Sequence, residues 1–215
     1  LFLQISAKLS GCIKAQKNNM IRHSNQRVGV FIDTQNMYYS ARSVHKKKVN
    51  FGAIVEDGVG EGKLIRAIAY VVTTKTGDEK PFLDALQKVG IELREKELQE
   101  FFSGQKKADW DVGLTVDIIR MLDMLDVIVL VSGDGDYLPL VSYCQSRGRI
   151  VEVIAFRETT SSRLVEEADA YINMSDNKDR YLIGLKRRET ETIDEIDEEE
   201  LPETKDKRTK KRVIF

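Results

Sequence analysis

The chain has 215 residues, a formal net charge of −1 and two cysteines, Cys12 and Cys144. That length allows one domain with tails, and a core of roughly 150 residues folds without disulfides or structural metal. The balanced charge excludes a globally basic nucleic-acid binder, the cysteine spacing fits no zinc or redox motif, and no run approaches the ~18 apolar residues of a membrane span.

Residues 1–26 are polar and irregular. Leu1 to Cys12 has the outline of a lipoprotein signal, but it lacks a basic leader and carries Lys8 within its apolar part, so export is not expected. Residues 1–19 read as lying outside the fold, and the expected location is cytoplasmic. Val28 to Ile32 is a buried strand that stops at Asp33. Asp33-Thr-Gln-Asn36 turns into a helix over Met37 to Val44, followed by Lys46, Lys47 and Lys48. Asn50 is placed to cap a short helix over Phe51 to Val55. Gly58-Val-Gly60-Glu-Gly62-Lys63 reads as a flexible loop. A phosphate loop is rejected, because Asp57 stands where glycine is needed and Leu64 where Ser or Thr is needed.

Leu64 to Val72 is the second strand. Asp78 to Val89 is a helix, with Pro81 in its first turn and Gly90 as its stop. Ile91 to Lys96 is a third strand, and residues 99–108 form a loop containing Phe101, Phe102, Lys106 and Lys107. A helix from Asp109 to Met124 leads into the fourth strand, Asp126 to Ser132. That strand is a continuous apolar run bounded by turn residues, which is the mark of a strand covered on both faces. It ends in Gly133-Asp134-Gly135-Asp136. A helix over Tyr137 to Arg147 carries Pro139 near its start and stops at Gly148. A fifth strand over Ile150 to Phe156 follows, then a short helix over Leu164 to Ala168 capped by Ser161 or Ser162, and an edge strand at Tyr171 to Asn173. From Asp176 the composition changes to an acidic block, Glu189 to Glu203, and a basic one, Lys205 to Arg212, as in a solvated, disordered tail.

Strands alternating with helices specify a three-layer α/β/α, Rossmann-like fold with a mostly parallel central sheet of about five strands. It would occupy residues 27–175, between an irregular extension (1–26) and a charged tail (176–215). Open α/β sheets place their sites at the carboxyl ends of the strands. Two such mouths carry acids here: Asp33 at the first strand, Asp134 and Asp136 at the fourth. Crowded carboxylates raise one another's pKa unless a cation or a set of donors settles them. The expected cation is Mg²⁺ or Mn²⁺, which take oxygen ligands and leave room for a substrate phosphate. The chemistry would be metal-assisted phosphodiester hydrolysis.

Helix geometry divides the remaining acids. Asp109 and Asp111 stand at a helix N-terminus, where plain capping is the alternative. Asp117 lies ~120° further round that helix than Asp111, so both should not point at one metal. Asp111 is weighted higher, and Asp117 is as well explained by a supporting role. Glycine-turn capping is the alternative for Asp134 and Asp136, and Asp136 suits it better. Asn36 either caps its helix or orients Asp33. His23 and His45 have no triad partner, and a phosphatase with Asp33 as nucleophile is disfavoured because Gln35 breaks the Asp-x-Asp pattern. Lys46–Lys48, and Lys106–Lys107 beside Trp110, could grip phosphates and stack bases of a single strand.

The segments Val30-Phe-Ile-Asp33-Thr-Gln-Asn36, Lys107-Ala-Asp-Trp-Asp111-Val-Gly-Leu-Thr-Val-Asp117 and Val131-Ser-Gly-Asp134-Gly-Asp136-Tyr-Leu-Pro-Leu140 together resemble the NYN domain in its LabA-like branch, which is similar to PIN-domain nucleases. The resemblance spans about residues 27–174 and implies a PIN-like Rossmannoid fold with Mg²⁺- or Mn²⁺-dependent ribonuclease activity. It places the family's first-strand Asp and nearby Asn on Asp33 and Asn36, its helix acids on Asp111 and Asp117, and its later acids on Asp134 and Asp136. The extra helix-borne Glu of many PIN nucleases finds only Glu56 as a loose counterpart. The implied partner is RNA, single-stranded or structured, with no membrane; a homo-oligomer is compatible. The competing reading is a non-catalytic RNA-binding or regulatory module on the same fold.

Overall fold

A computed structural model of the chain describes residues 23–74, 77–100, 106–107 and 109–184. Six strands form its central sheet: β1 (Arg27–Asp33), β2 (Lys63–Thr73), β3 (Glu92–Glu97), β4 (Val127–Val131), β5 (Ile150–Ala155) and β6 (Ala170–Asn173). Their order is β3-β2-β1-β4-β5-β6, and every pairing is parallel. The sixth is the edge strand expected at Tyr171 to Asn173, and it begins one residue earlier, at Ala170. The helices are α1 (Thr34–Ser40), α2 (Phe51–Val59), α3 (Lys80–Lys88), α4 (Asp111–Met121), α5 (Leu138–Ser146), α6 (Ser162–Glu167) and α7 (Lys178–Tyr181). Together they complete a three-layer α/β/α sandwich, as the alternation predicts.

The core explains the strand sequences. Val28, Val30, Phe31 and Ile32 of β1 and Val127, Val129 and Val131 of β4 have no exposed surface. Central strands covered on both faces carry apolar residues at consecutive positions instead of alternating ones. Each fully buried Val, Ile or Phe contributes roughly 1.5–3 kcal/mol of transfer free energy. The chain enters at β1 in the middle, winds outward to β3, then crosses back to β4 beside β1. The direction of winding therefore reverses between β1 and β4, and the crevice at their carboxyl ends is the place where doubly wound sheets bind ligands.

Asn50 caps α2 as expected, its side chain accepting the N–H of Ala53. The helix then runs a turn further than expected, through Gly58 to Val59. Gly58 is therefore a packing glycine in a helix and not part of a loop. A Cβ there would stand 3.2 Å from Val129 and 3.4 Å from Ile154, so its absence lets α2 lie close on the sheet. Gly90 and Gly148, at φ +83° and +74°, end α3 and α5 in the left-handed conformation that glycine adopts without steric cost. Residues 99–108 are not simply a loop, because Gln99–Glu100 pairs antiparallel with Lys106–Lys107.

The ordered elements also continue past residue 175. A 3₁₀ turn (Met174–Asn177) leads into α7, and Leu182–Ile183 pairs antiparallel with Lys48–Val49. Arg180 grips Asp57 through Nε at 2.6 Å and Nη2 at 2.5 Å, while the Tyr181 hydroxyl donates to the same carboxylate at 2.6 Å. This clamp ties the C-terminal end of the fold to α2. Residues 1–22 and the charged blocks beyond 184 lie outside the described residues.

Candidate active site

Asp33 closes β1 and at the same time caps α1, its Oδ1 accepting the Asn36 N–H at 3.1 Å. Its Oδ2 accepts the hydroxyl of Ser132 at 3.2 Å. Ser132 ends the apolar run of β4, is fully buried, and with its Oγ also accepts the Asp134 N–H at 3.2 Å. The cap of α1 is thus Asp33, which leaves the Asn36 side chain free to reach across. Its Oδ1 accepts the Gly133 N–H at 3.0 Å. The mouths of β1 and β4 are stitched together by two side chains, Ser132 and Asn36. A Cβ on Gly133 would fall 2.8 Å from the Thr159 carbonyl and 3.0 Å from Thr160 Cα, so only glycine lets the loop after β5 close on this turn.

Asp111 is the first residue of α4, and its Oδ1 accepts the Tyr137 hydroxyl at 3.1 Å. Asp134 caps the short turn over Gly135–Tyr137, its Oδ1 accepting the Asp136 N–H at 2.9 Å. The capping role expected of Asp136 therefore belongs to Asp134, and Asp136 is exposed at the rim.

The electrostatics show which acids share a space. Burial pushes the Asp33 carboxyl up to about 6, and the charges of Asp111 and Asp134 push it the same way; the Asn36 N–H and the Ser132 hydroxyl oppose them. Burial also raises Asp111, the Tyr137 hydroxyl opposes, and Asp134, Asp109 and Asp136 add to the rise. Asp33, Asp111 and Asp134 thus lie within one another's field, with Asp136 at their edge. They do not form a closed cage. Among the described residues, no group of three or more His, Cys, Asp or Glu side chains is gathered tightly enough to hold a metal ion. Asp111 and Asp134 nevertheless each keep one carboxylate oxygen outside the bonds named above, and Asp33, whose two oxygens accept one bond each, keeps a second lone pair on both. Such an open, oxygen-only donor set fits Mg²⁺ or Mn²⁺, which keep several waters and take only one or two protein carboxylates beside a substrate phosphate.

Other residues singled out from the sequence stand elsewhere. Asp117 turns to the β2–β3 side, where it accepts the Tyr70 hydroxyl at 3.1 Å and pairs with Arg94 Nε at 3.3 Å. Trp110 is half-buried against Tyr70, with its indole N–H donated to the Val71 carbonyl at 2.9 Å and the Lys96 ammonium 5.7 Å from its ring. Glu56 pairs with Arg180 at 3.0 Å. Lys46, Lys47 and Lys48 are exposed beyond the π-helical segment Ala41–His45 that continues α1, Lys48 in the strand pair with Leu182–Ile183; Lys106 and Lys107 lie in the short ribbon. Sequence reasoning passed over Ser132 and Tyr137. The first had a signal, a lone hydroxyl ending an apolar run; the second stood inside a segment that carries the family resemblance, but a buried tyrosine after a turn looks like any core aromatic.

The family model of the NYN domain matches residues 27–176, the span of the sheet and of every acid described above. The protein belongs to the NYN domain family. Its NYN domain is similar to the low amplitude and bright protein LabA of Synechococcus elongatus, at 26% identity over 161 residues that cover 70% of this chain and 84% of the relative. It is also similar to a crystal structure of a protein of unknown function from Vibrio parahaemolyticus, with 29% identity and a TM-score of 0.68. That match covers 76% of this chain and all of the other. Membership of the NYN family, the likeness to LabA and the α/β sandwich are thereby established. No helix among the described residues is long and apolar enough to cross a membrane.

Proposed function

We propose that this NYN-domain protein is a Mg²⁺- or Mn²⁺-dependent ribonuclease that hydrolyses RNA phosphodiester bonds at the crevice between β1 and β4. The observation that carries the reading is the state of Asp33: a carboxylate nine-tenths buried, facing two more acids, with its pKa pushed up to about 6. A fold that bears this cost at its ligand-binding crevice is best explained by a cation that offsets it when substrate arrives.

In this reading Asp33, Asp111 and Asp134 hold the ion and Asp136 supports them. The ion would polarise the phosphate and lower the pKa of a bound water. Ser132 and Asn36 hold the two strand ends in register, so that Asp33 and Asp134 cannot drift apart. Tyr137 aims Asp111. Asp117, tied to Arg94, stabilises α4 against the sheet from outside the acid cluster. The lysines at 46–48 and 106–107 supply positive charge for the RNA backbone, since a net negative chain needs local basic patches to approach a polyanion. The buried, free Cys144, with its thiol pushed up to about 11 by burial, suits a reducing compartment, and we place the activity in the cytoplasm.

A second reading, RNA binding without turnover, is favoured by the open spacing of the acids. Cleavage of varied RNAs with Mg²⁺ or Mn²⁺ separates the two. Wild-type protein should cleave, and Asp33→Asn and Asp134→Asn should not. Cleavage surviving in both variants, or absent from wild type while RNA is bound, refutes the nuclease reading.

A further inference from the structure

Helix α1 leaves the acid cluster directly and presents an unusual outer face. Its inner face is Thr34, Met37, Ser40 and, just beyond, Ala41, all buried at helical spacing. The outer face carries two adjacent tyrosines, Tyr38 and Tyr39, that are 47% and 61% exposed. Tyr39 is the most exposed aromatic side chain among the described residues. The two rings meet edge to face with centroids 5.8 Å apart. Arg42, one turn on, donates to the Tyr38 hydroxyl at 3.0 Å and holds its guanidinium 6.0 Å from that ring. Tyr38 is thus braced, while the Tyr39 side chain is largely open to solvent.

The charge of the segment that carries these rings has one sign. From Asn36 to Lys48 the chain contains Arg42, Lys46, Lys47 and Lys48 and no acidic residue, in a protein whose formal net charge is −1. All four cations are exposed, and among the described residues none pairs with a carboxylate. Tyr39 stands three residues beyond Asn36, ~4.5 Å further along the helix axis. Open aromatic faces interleaved with unpaired cations are the features with which proteins hold unpaired nucleotides: bases stack on the rings, and phosphates meet the charges. A duplex hides its base faces inside the stack and has no use for such rings.

We propose that the outer face of α1 is a stacking platform for a single-stranded polynucleotide, with Tyr39 receiving a base, Tyr38 and Arg42 bracing it, and Lys46–Lys48 neutralising the phosphates that follow. The platform rests on the reading of the adjacent crevice as a nucleic-acid site and restricts its substrate to unpaired segments. The bases stacked here lie within one helical turn of Asn36, so the strand passes the acids at a set distance from the platform.

The test is binding without cleavage: fluorescence anisotropy of labelled oligouridylate, oligodeoxythymidylate and an RNA duplex, with the full chain in EDTA. Wild type should bind the two single strands more tightly than the duplex. Tyr39→Ala should weaken single-strand binding at least about fivefold, and Tyr39→Phe, which keeps the ring, should retain it. Lys47→Ala should lower the slope of log K against log salt by about 0.7, the value for one phosphate contact on a single strand. Thermal melts of the variants should match wild type, because these side chains are exposed. Equal binding by Tyr39→Ala, equal loss in Tyr39→Phe, or tighter binding of the duplex overturns the platform. RNA cleavage by a Tyr39→Ala protein with unchanged affinity would sink the platform alone. Tyr39-dependent binding with no cleavage by wild type would sink the nuclease reading alone.

Discussion

Tyr137 and Asp111 lie 26 residues apart and join two elements: the phenol hydroxyl after β4 donates to the carboxylate that opens α4, at 3.1 Å. Tyr137 is 2% exposed, so the donor is fixed in the core while its acceptor faces the crevice. Burial and the neighbouring carboxylates push the Tyr137 phenol far up, which keeps it a donor across any accessible pH. A rigid donor of this kind sets the direction of a carboxylate that would otherwise rotate freely at the helix end.

Tyr137→Phe keeps the volume and removes the hydroxyl. Folding stability in urea should fall by about 1 kcal/mol. RNA cleavage should fall by about tenfold to a hundredfold, through misplacement of Asp111 rather than loss of a ligand. A variant with wild-type cleavage and an unchanged Mg²⁺ dependence would remove Asp111 from the proposed machinery.

Asp33 gives the pH dependence. Its carboxyl sits at about 6 in the fold against an ordinary 3.8. Between those values the folded chain holds a proton that the unfolded chain has already released, so this group's contribution to stability falls as pH rises through that window. Asp33→Asn keeps an acceptor for the Asn36 N–H and removes the buried charge. Without divalent cations it should be the more stable protein at pH 7, by up to about 3 kcal/mol, with the difference fading as pH falls toward about 4. Adding Mg²⁺ should stabilise wild type and narrow the gap, because the ion binds the folded state alone. Denaturation midpoints across pH, with and without Mg²⁺, read both effects; an Asn variant no more stable than wild type at neutral pH contradicts the electrostatics described here.

Ser132→Ala leaves the half-buried Asp134 N–H without its acceptor and Asp33 without one of its two donors. The cost should be about 1–3 kcal/mol of stability. The Asp33 carboxyl should rise further, because the lost hydroxyl bond held it down. Carboxylate titration followed by NMR reports the shift, and no movement of Asp33 would show that Ser132 serves packing only.

Asp117→Asn separates a ligand from a brace. Its partners are Tyr70, the half-exposed Arg94 and, at 4.0 Å, the exposed Arg120, ion pairs weakened by solvent. Stability should drop by less than about 1 kcal/mol, and cleavage should change by less than about threefold. Activity lost as completely as in Asp134→Asn would place Asp117 among the ion's ligands after all.

Much of this fold was written locally. The double apolar runs of β1 and β4, Asn50 as the cap of α2, Pro81 and Pro139 in the first turns of α3 and α5, and Gly90 and Gly148 at their ends each need only a few neighbouring residues to be understood. The acids at the two strand mouths were legible for the same reason, because a carboxylate that ends a buried strand is conspicuous in one dimension. Gly58 misled, because a glycine that admits a close helix–sheet approach looks the same in sequence as one that breaks a helix.

The sequence by itself determined the alternation of elements and the presence of Asp33 and Asp134 at the ends of buried strands. Only the tertiary structure decided the partners: Asp111 to Tyr137, Asp117 to Arg94, Trp110 to the Val71 carbonyl, Ser132 to Asp33. Periodicity and capping follow from backbone geometry within a turn or two, whereas a side chain's partner depends on which strands become neighbours and at what register. Asp33 and Ser132 are 99 residues apart in the chain and meet because β1 and β4 pair in parallel.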